Sequence, residues 1–380
     1  MINVDIVIIG LGLTAKLTAL ALAKISCKIV IIGEENESIN SNLVTFFSSK
    51  SIRFLNDLGL SELSNQSVNI SEISCSKLSW YKLKKKFQMN FKKDNNNELG
   101  RIIQNKELHQ SLNELITKNS DISIINSTNI RSHKYINNIN ILTIENNIQI
   151  NSKLILIADN KCELINKYFP NNSINNELNQ TSIVVNTKVN TKNHAYQFFT
   201  EDGALALLPI TKDTASIIWS LDNDSEILKL DENQIFENIK NIFNDIFTQI
   251  EFLEFQKYRL KFNFAKETIS ESIVLIGDAA HSLHPIAGQG LNLTIKDIET
   301  LIDKISHFMY IGYELGNPFM LNDYQQARQA DNTIYTFTTN YLDKILKNNN
   351  ILVNTISNLG ISYVEKSKLI KKLLVRSASG

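Results

Sequence analysis

The sequence predicts an α/β protein in which a Rossmann-like parallel-sheet domain is interrupted by a mainly antiparallel β-sheet domain and followed by C-terminal helices. Three observations predict it. A β-branched run from Val4 to Ile9 ends in Gly10-Leu11-Gly12 and gives way to helical spacing from Leu13 to Ile25. From Ser182 to Phe264 the pattern changes to repeated alternation, as in Ser182 to Val189, Tyr196 to Phe199 and Ser216 to Ser220, which marks antiparallel strands. A continuous apolar strand then returns from Ser272 to Ile276, ahead of a second glycine turn at Gly277-Asp278. The parallel-sheet domain is therefore expected to be discontinuous, over 1–75, 98–178 and 268–320. The inserted sheet is expected over 76–97 and 179–267, and the helical region over 321–380.

The first elements follow in order. Lys28 to Ile32 is a second buried strand, so Val4 to Ile32 forms one βαβ unit and implies a parallel sheet. Ser51 to Leu58 reads as a helix, as does Glu107 to Thr117 with Leu108, Leu112, Leu115 and Ile116 along one face. Lys77 to Phe91 alternates loosely and is basic through Lys82, Lys84, Lys85 and Lys86, suggesting a strand pair with a solvated face. Lys153 to Ala158 is another buried strand, and Leu291 to Leu374 reads as mostly helical.

Composition narrows the function. At 380 residues the chain can bury a large core without staples. Lys plus Arg and Asp plus Glu are 39 each, so no whole-chain charge points to nucleic acid or to an acidic substrate. Cys27, Cys75 and Cys162 lack the spacing of a zinc site or a disulfide framework, and a reducing cytoplasm is expected. The N-terminus runs straight into a strand, with no basic leader or cleavage pattern, and no apolar run reaches the ~18 residues of a membrane span. The abundance of Asn and Ile is read as compositional bias, because apolar periodicity persists through it.

Gly10-Leu11-Gly12-Leu13-Thr14-Ala15 is a G-x-G-x-x-G/A pattern in strand-to-helix context. Gly10 and Gly12 permit the turn and the close approach of a pyrophosphate, Ala15 allows tight packing, and the helix offers free N–H groups to phosphate. An acidic residue is expected about 20 residues further on to bond a ribose. Glu34 is the candidate, with Glu35 beside it, and either can equally be a solvated turn residue.

The second turn belongs to a longer segment, Ile273-Val274-Leu275-Ile276-Gly277-Asp278-Ala279-Ala280-His281-Ser282-Leu283-His284-Pro285-Ile286-Ala287-Gly288-Gln289-Gly290-Leu291-Asn292. It resembles the second FAD fingerprint of the para-hydroxybenzoate hydroxylase superfamily, in which the aspartate bonds the ribityl chain. A carboxylate at a strand end suits a polyol, and the glycines let backbone N–H groups come close to a flavin. The helix from Leu291 would present its N-terminus to the pyrimidine end of the ring. His281 and His284 lack the Glu or Cys that would complete a zinc site. They read as turn histidines packed beside a cofactor, with His281 and Pro285 the residues placed nearest the chemistry.

Within that superfamily the chain resembles the ubiquinone-biosynthesis hydroxylases. The matching segments are Phe198 to Pro209, Ile218-Trp219-Ser220, the fingerprint, and Leu321-Asn322-Asp323-Tyr324-Gln325-Gln326-Ala327-Arg328. The resemblance implies a glutathione-reductase-type FAD domain and FAD held by Gly10, Gly12, Ala15, Glu34, Arg101, Asp159, Gly277, Asp278, Gly288, Gln289, Gly290, Leu291 and Asn292. It also implies a C4a-hydroperoxyflavin that transfers oxygen to a polyprenylated phenol. Three positions depart from the family: Gly33 stands where the strand-end acid is expected, Leu43 replaces an arginine, and the Asp-Gly segment reads Asp159-Asn160-Lys161-Cys162. Arg101 is a compensating FAD contact or a plain surface arginine. These departures motivate an alternative, a non-catalytic paralogue serving as a subunit of the biosynthetic complex. Hydroxylation of a soluble aromatic is a narrower one.

No second G-x-G-x-x-G follows a strand, so the reductant, NAD(P)H or a redox protein, has no Rossmann unit of its own here. The basic amphipathic stretch Val364 to Arg376 suggests peripheral contact with the inner face of a membrane, against an ordinary terminal helix.

Overall fold

A computed structural model describes residues 1–35, 43–78, 85–92, 98–127, 129–172, 180–200, 202–260, 263–282 and 290–347. Pro285, Gly288, Gln289 and the Val364 to Arg376 stretch lie outside the described residues.

The first glycine turn joins the strand Ile6–Ile9 to the helix Leu13–Ala23, and the next strand, Ile29–Ile32, pairs parallel to the first. These strands are buried along their whole length, which is why they read as continuous apolar runs. The complete sheet has six strands in the order Ile269–Ser270, Ile273–Leu275, Leu154–Ile157, Ile6–Ile9, Ile29–Ile32, Ile122–Ile125. All neighbours are parallel except Ile269–Ser270. Chain segments more than a hundred residues apart thus lie side by side, as expected of a doubly wound sheet interrupted by an insertion.

The insertion is a seven-stranded sheet in the order Glu251–Arg259, Gln180–Lys188, Thr214–Asp222, Gly203–Pro209, His194–Phe199, Glu72–Leu78, Lys85–Lys92. One pair, His194–Phe199 with Glu72–Leu78, is parallel and the rest are antiparallel. One face carries Ile183, Val185, Phe198, Leu205, Leu207, Ile217 and Trp219 and is covered by the helix Glu232–Phe243. On the opposite face, Ala195, Ala206 and Leu208 pack against Val44, Phe46, Ile70 and Ile102 of a three-stranded sheet, Val44–Ser48, Gly100–Gln104 and Val68–Ile70.

Two elements add to the sequence-based picture. A four-stranded sheet forms from Ile2–Asn3, Gln149–Ser152, Ile139–Ile144 and Ile130–Ile136. The helix Glu232–Phe243 starts at a capping box: Asp231 accepts from Gln234 N at 2.9 Å, and Gln234 Oε1 accepts from Asp231 N at 3.1 Å. The C-terminal part contains the helices Gly290–Tyr310 and Pro318–Lys347. Among the described residues no helix is long and apolar enough to cross a membrane.

Candidate functional site

The site forms where the parallel strands end. Ile6–Ile9 leads into Gly10, Leu154–Ile157 into Asp159, and Ile273–Leu275 into Gly277, so three turns meet at the carboxyl edge of the sheet.

Their proximity is visible in what a side chain would strike at each glycine. A Cβ on Gly10, whose φ is +115°, would lie 3.1 Å from Asp159 N. On Gly277, at φ +56°, a Cβ would lie 2.6 Å from Thr14 Cγ2. Gly12 has open space at the corresponding position and caps the Leu13–Ala23 helix without any side-chain acceptor. The first turn of that helix carries no acidic residue, so its free N–H groups and positive dipole end are left for an anion. Ala15 is buried beneath this turn.

Gly33 explains one departure from the family pattern. A Cβ there would lie 2.9 Å from both Gly10 C and Leu11 N, so the strand passes directly under the glycine turn and has no room for a carboxylate. The acids stand one and two places later. Glu34 is exposed, and with Leu11, Glu35, Ile124 and Asn126 it bounds a hollow of about 450 Å³.

Glu35 is otherwise engaged. The buried Lys16 donates from Nζ to Glu35 Oε1 at 3.1 Å and to Asn113 Oδ1 at 2.5 Å, and meets the His109 ring nitrogens at 3.0 and 3.1 Å. The bond from Lys16 holds the Glu35 carboxyl below the usual range. Burial lowers Lys16 itself, against the pull of Glu35, and burial followed by the charge of Lys16 lowers His109. This cluster fixes the helix Leu13–Ala23 to the helix Asn105–Thr117 and leaves Glu34 as the carboxylate beside the hollow.

Asp278 stands at the surface of the crevice opposite Asp159. The protein packed around it raises its carboxyl, Asp159 adds to the rise, and His281 opposes it. The Asp159 carboxylate accepts from Lys161 N at 2.9 Å, which shapes its turn. The Gly277–Ala279 turn is held by Asn263, whose amide donates to the carbonyls of Asp278 and Ala279 at 3.1 Å each.

The helix Gly290–Tyr310 enters the same crevice. Asn292 is buried and accepts from Ser48 N at 2.9 Å while donating to Phe46 O at 2.6 Å. Its side chain therefore clamps the strand Val44–Ser48, whose other contacts reach the inserted sheet. Gly290 and Leu291, just before it, are partly exposed. Arg101 lies on the middle strand of the three-stranded sheet and donates to Glu98 and to the Ser64 carbonyl, which commits much of its guanidinium within the protein.

His281 was expected in the turn, but its partners were not. It donates from Nε2 to the buried carboxylate of Asp297. Asp297 also accepts from Arg328 Nε at 2.7 Å and from Asn332 at 3.2 Å, while Arg328 reaches Asp331 and Asn332 at 2.8 Å each. Burial pushes the Asp297 carboxyl up, but the charges and hydrogen bonds of His281 and Arg328 outweigh it and hold the group low. The network ties the second glycine turn to both C-terminal helices. Among the described residues no cluster of ligands for a metal is present.

An uncapped helix end, two carboxylates, and turns that exclude side chains at three glycines match a phosphate-bearing dinucleotide with a polyol chain. The comparisons with known proteins agree. The FAD binding domain family matches residues 164–332. The mitochondrial ubiquinone biosynthesis monooxygenase COQ6 of Dictyostelium discoideum is 26% identical over 343 residues, covering 76% of this chain and 69% of that protein. The 3-demethoxyubiquinol 3-hydroxylase of Escherichia coli is 30% identical over 188 residues, covering 49% and 48%. The match thus spans about half to two thirds of these relatives. Among solved structures, p-nitrophenol 4-monooxygenase from Pseudomonas putida superposes with a TM-score of 0.77 at 15% identity, covering 100% of this chain and 99% of that one, which establishes the shared fold.

Fold and crevice together define a flavoprotein of the aromatic-hydroxylase type. The chain is similar to the ubiquinone-biosynthesis FAD-dependent hydroxylases over these spans, and its cofactor is FAD.

Proposed function

We propose that the protein is an FAD-dependent monooxygenase that hydroxylates the ring of a polyprenylated phenol in ubiquinone biosynthesis. The observation that carries this reading is the meeting of the uncapped Gly12 helix end, Asp159 and the Gly277-Asp278 turn in one crevice, joined through Asn292 and the strand Val44–Ser48 to the inserted sheet.

The N–H groups after Gly12 hold the pyrophosphate, Glu34 the adenosine ribose at the hollow beside Leu11, and Asp278 the ribityl hydroxyls. When bound and reduced, FAD supplies the oxygen-activating chemistry. The chain positions the ring through the Gly290 helix end, keeps water out through the apolar packing of Ala206 and Leu208 on Phe46, and fixes the turn through His281 and Asp297. The reducing equivalents come from NAD(P)H or a redox protein, and a polyprenyl tail places the working enzyme at a membrane surface as a peripheral protein.

The test is direct. Purified protein incubated with FAD and desalted is expected to keep the flavin's visible absorbance, and then to add one oxygen atom to a prenylated phenol, read by mass spectrometry with NADH, NADPH or a reduced ferredoxin as donor. Folded protein that stays colourless sinks the proposal.

The same geometry makes a sharper forecast at position 33. Gly33→Asp restores the acid that the family pattern expects there, yet it is expected to cost about 1–3 kcal/mol through overpacking. It should also weaken FAD binding at least roughly tenfold, a loss of about 1.4 kcal/mol or more, because the turn that faces the pyrophosphate is pushed out of place. Thermal melts with and without FAD separate the two effects, and unchanged affinity shows that the turn is not set by this contact.

A further inference from the structure

At the opposite end of the molecule, the turn between the two C-terminal helices carries five large apolar side chains in the open. Tyr310 is 90% exposed, Phe319 70%, Ile311 50%, Met309 45% and Tyr313 44%. Isolated exposed apolar residues are ordinary, but five within eleven positions form a patch that asks for a partner.

The turn is held in shape. Phe308 and Tyr313 meet edge to face with centroids 5.5 Å apart. Gly312 N bonds Met309 O at 3.1 Å, and Tyr313 N bonds Phe308 O at 2.9 Å. Gly312 and Gly316 both take positive φ, +90° and +82°, and a Cβ on Gly316 would lie 2.5 Å from Lys153 O. The backbone of the corner is thus held against the sheet at Gly316. A preformed apolar surface binds without having to order itself first.

We propose that this corner, centred on Tyr310 and Phe319, is the contact through which two copies of the chain pair about a twofold axis. The five side chains leave on the order of 600 Å² open, taking typical aromatic and aliphatic side-chain areas. That is most of the roughly 800 Å² that each partner of a stable dimer buries. Tyr310 and Phe319, the two most exposed of the five side chains, are of residue types enriched in protein–protein interfaces.

A lipid surface fits the patch less well. The acids nearest in sequence are Asp303, Glu314 and Asp323, and the one lysine among them, Lys304, is paired with Asp323 at 2.9 Å. Anionic headgroups meet no free cation in this stretch. Lys153 and Ser272, against which Gly316 packs, precede the parallel strands, whereas the cofactor turns follow them. A membrane at this corner would therefore sit at the far edge of the sheet from the crevice. The chain's own residues beyond 347 are the remaining occupant.

Sedimentation velocity of the full, FAD-loaded protein across the micromolar range tests the proposal. A dimer is expected, and Tyr310→Glu and Phe319→Glu are expected to weaken it at least roughly tenfold each while flavin absorbance and melting temperature stay as in the parent. A parent that remains monomeric throughout, or a dimer indifferent to both substitutions, overturns it. Flotation of monomeric protein with phosphatidylethanolamine–phosphatidylglycerol vesicles, lost in the two variants, overturns it in favour of lipid. A monomeric parent whose variants melt lower than it overturns it in favour of the C-terminal residues. None of these readouts depends on the hydroxylase reaction, so the dimer and the proposed function stand or fall separately.

Discussion

Asp297→Asn is expected to destabilise the fold by about 3–5 kcal/mol, the range for breaking a buried ion pair by removing one partner. The carboxylate accepts from His281, Arg328 and Asn332 in a site closed to solvent. An amide of the same shape keeps the volume but leaves the Arg328 charge buried with only the exposed Asp331 to answer it. Charge, more than shape, is lost. The companion Asp297→Asn/Arg328→Met is expected to recover much of the stability, since removing both charges together is far cheaper than removing one. A double variant as unstable as the single one would mean that packing, not charge, sets the cost.

The same group dictates a dependence on pH. Its folded pKa is depressed, so its contribution is fully present above the unfolded value of about 3.9 and is lost as pH falls through the lower folded value. The parent is therefore expected to lose stability faster than Asp297→Asn on acidification below about pH 4, so that the gap between them narrows. Denaturant midpoints measured between neutral pH and that region check the sign. A gap that widens in acid would assign the carboxylate the wrong ionisation state.

How much of this was legible beforehand differs from residue to residue. The two glycine turns were, because a buried strand followed by glycine leaves a mark within a few consecutive positions. Gly10, Asp159 and Gly277 do come together at the sheet edge. The anchor beneath them was not legible in the same way. His281, Asp297 and Arg328 lie 16 and 31 residues apart, and each is unremarkable in its own segment. The segment Leu321 to Arg328 was recognised only as a family resemblance, whereas its structural content is the ion pair to Asp297. Lys16 shows the same limit, since a lysine in the helix after a glycine turn reads as solvated until His109 and Asn113, on a helix nearly a hundred residues away, are seen to enclose it.

Other omissions had a local cause. The strand Val44–Ser48 is buried at every position, so it shows no alternation, and its partners Gly100–Gln104 and Val68–Ile70 come from separate stretches. The helix Glu232–Phe243 could have been read, because Asp231 and Gln234 form the sequence mark of a capping box. Gly33 is the instructive case. It reads as the loss of a ribose-binding acid, yet the structure makes it the position where a side chain cannot fit, with the acids Glu34 and Glu35 standing one and two places later.

Gly277→Ala is expected to reduce FAD affinity at least roughly tenfold and to cost stability of about 1–3 kcal/mol for a non-glycine residue held at positive φ. Two effects act at that position, and they can be separated. The backbone term follows from φ +56° and persists whatever surrounds it. The steric term follows from Thr14, whose Cγ2 and Oγ1 would lie 2.6 and 2.7 Å from the new methyl group. Thr14 sits in the first turn of the helix whose N-terminus the proposed function assigns to the pyrophosphate, so on that assignment relief by moving Thr14 displaces the N–H groups that would bind it. Removing its side-chain branches should therefore restore part of the affinity. In a cycle of Gly277→Ala, Thr14→Ala and the double variant, the losses of FAD affinity are expected to be less than additive, with the melting temperature of apoprotein still lowered by the backbone term. Strict additivity would show that the two turns do not press on one another, and that the second glycine is required for its conformation alone.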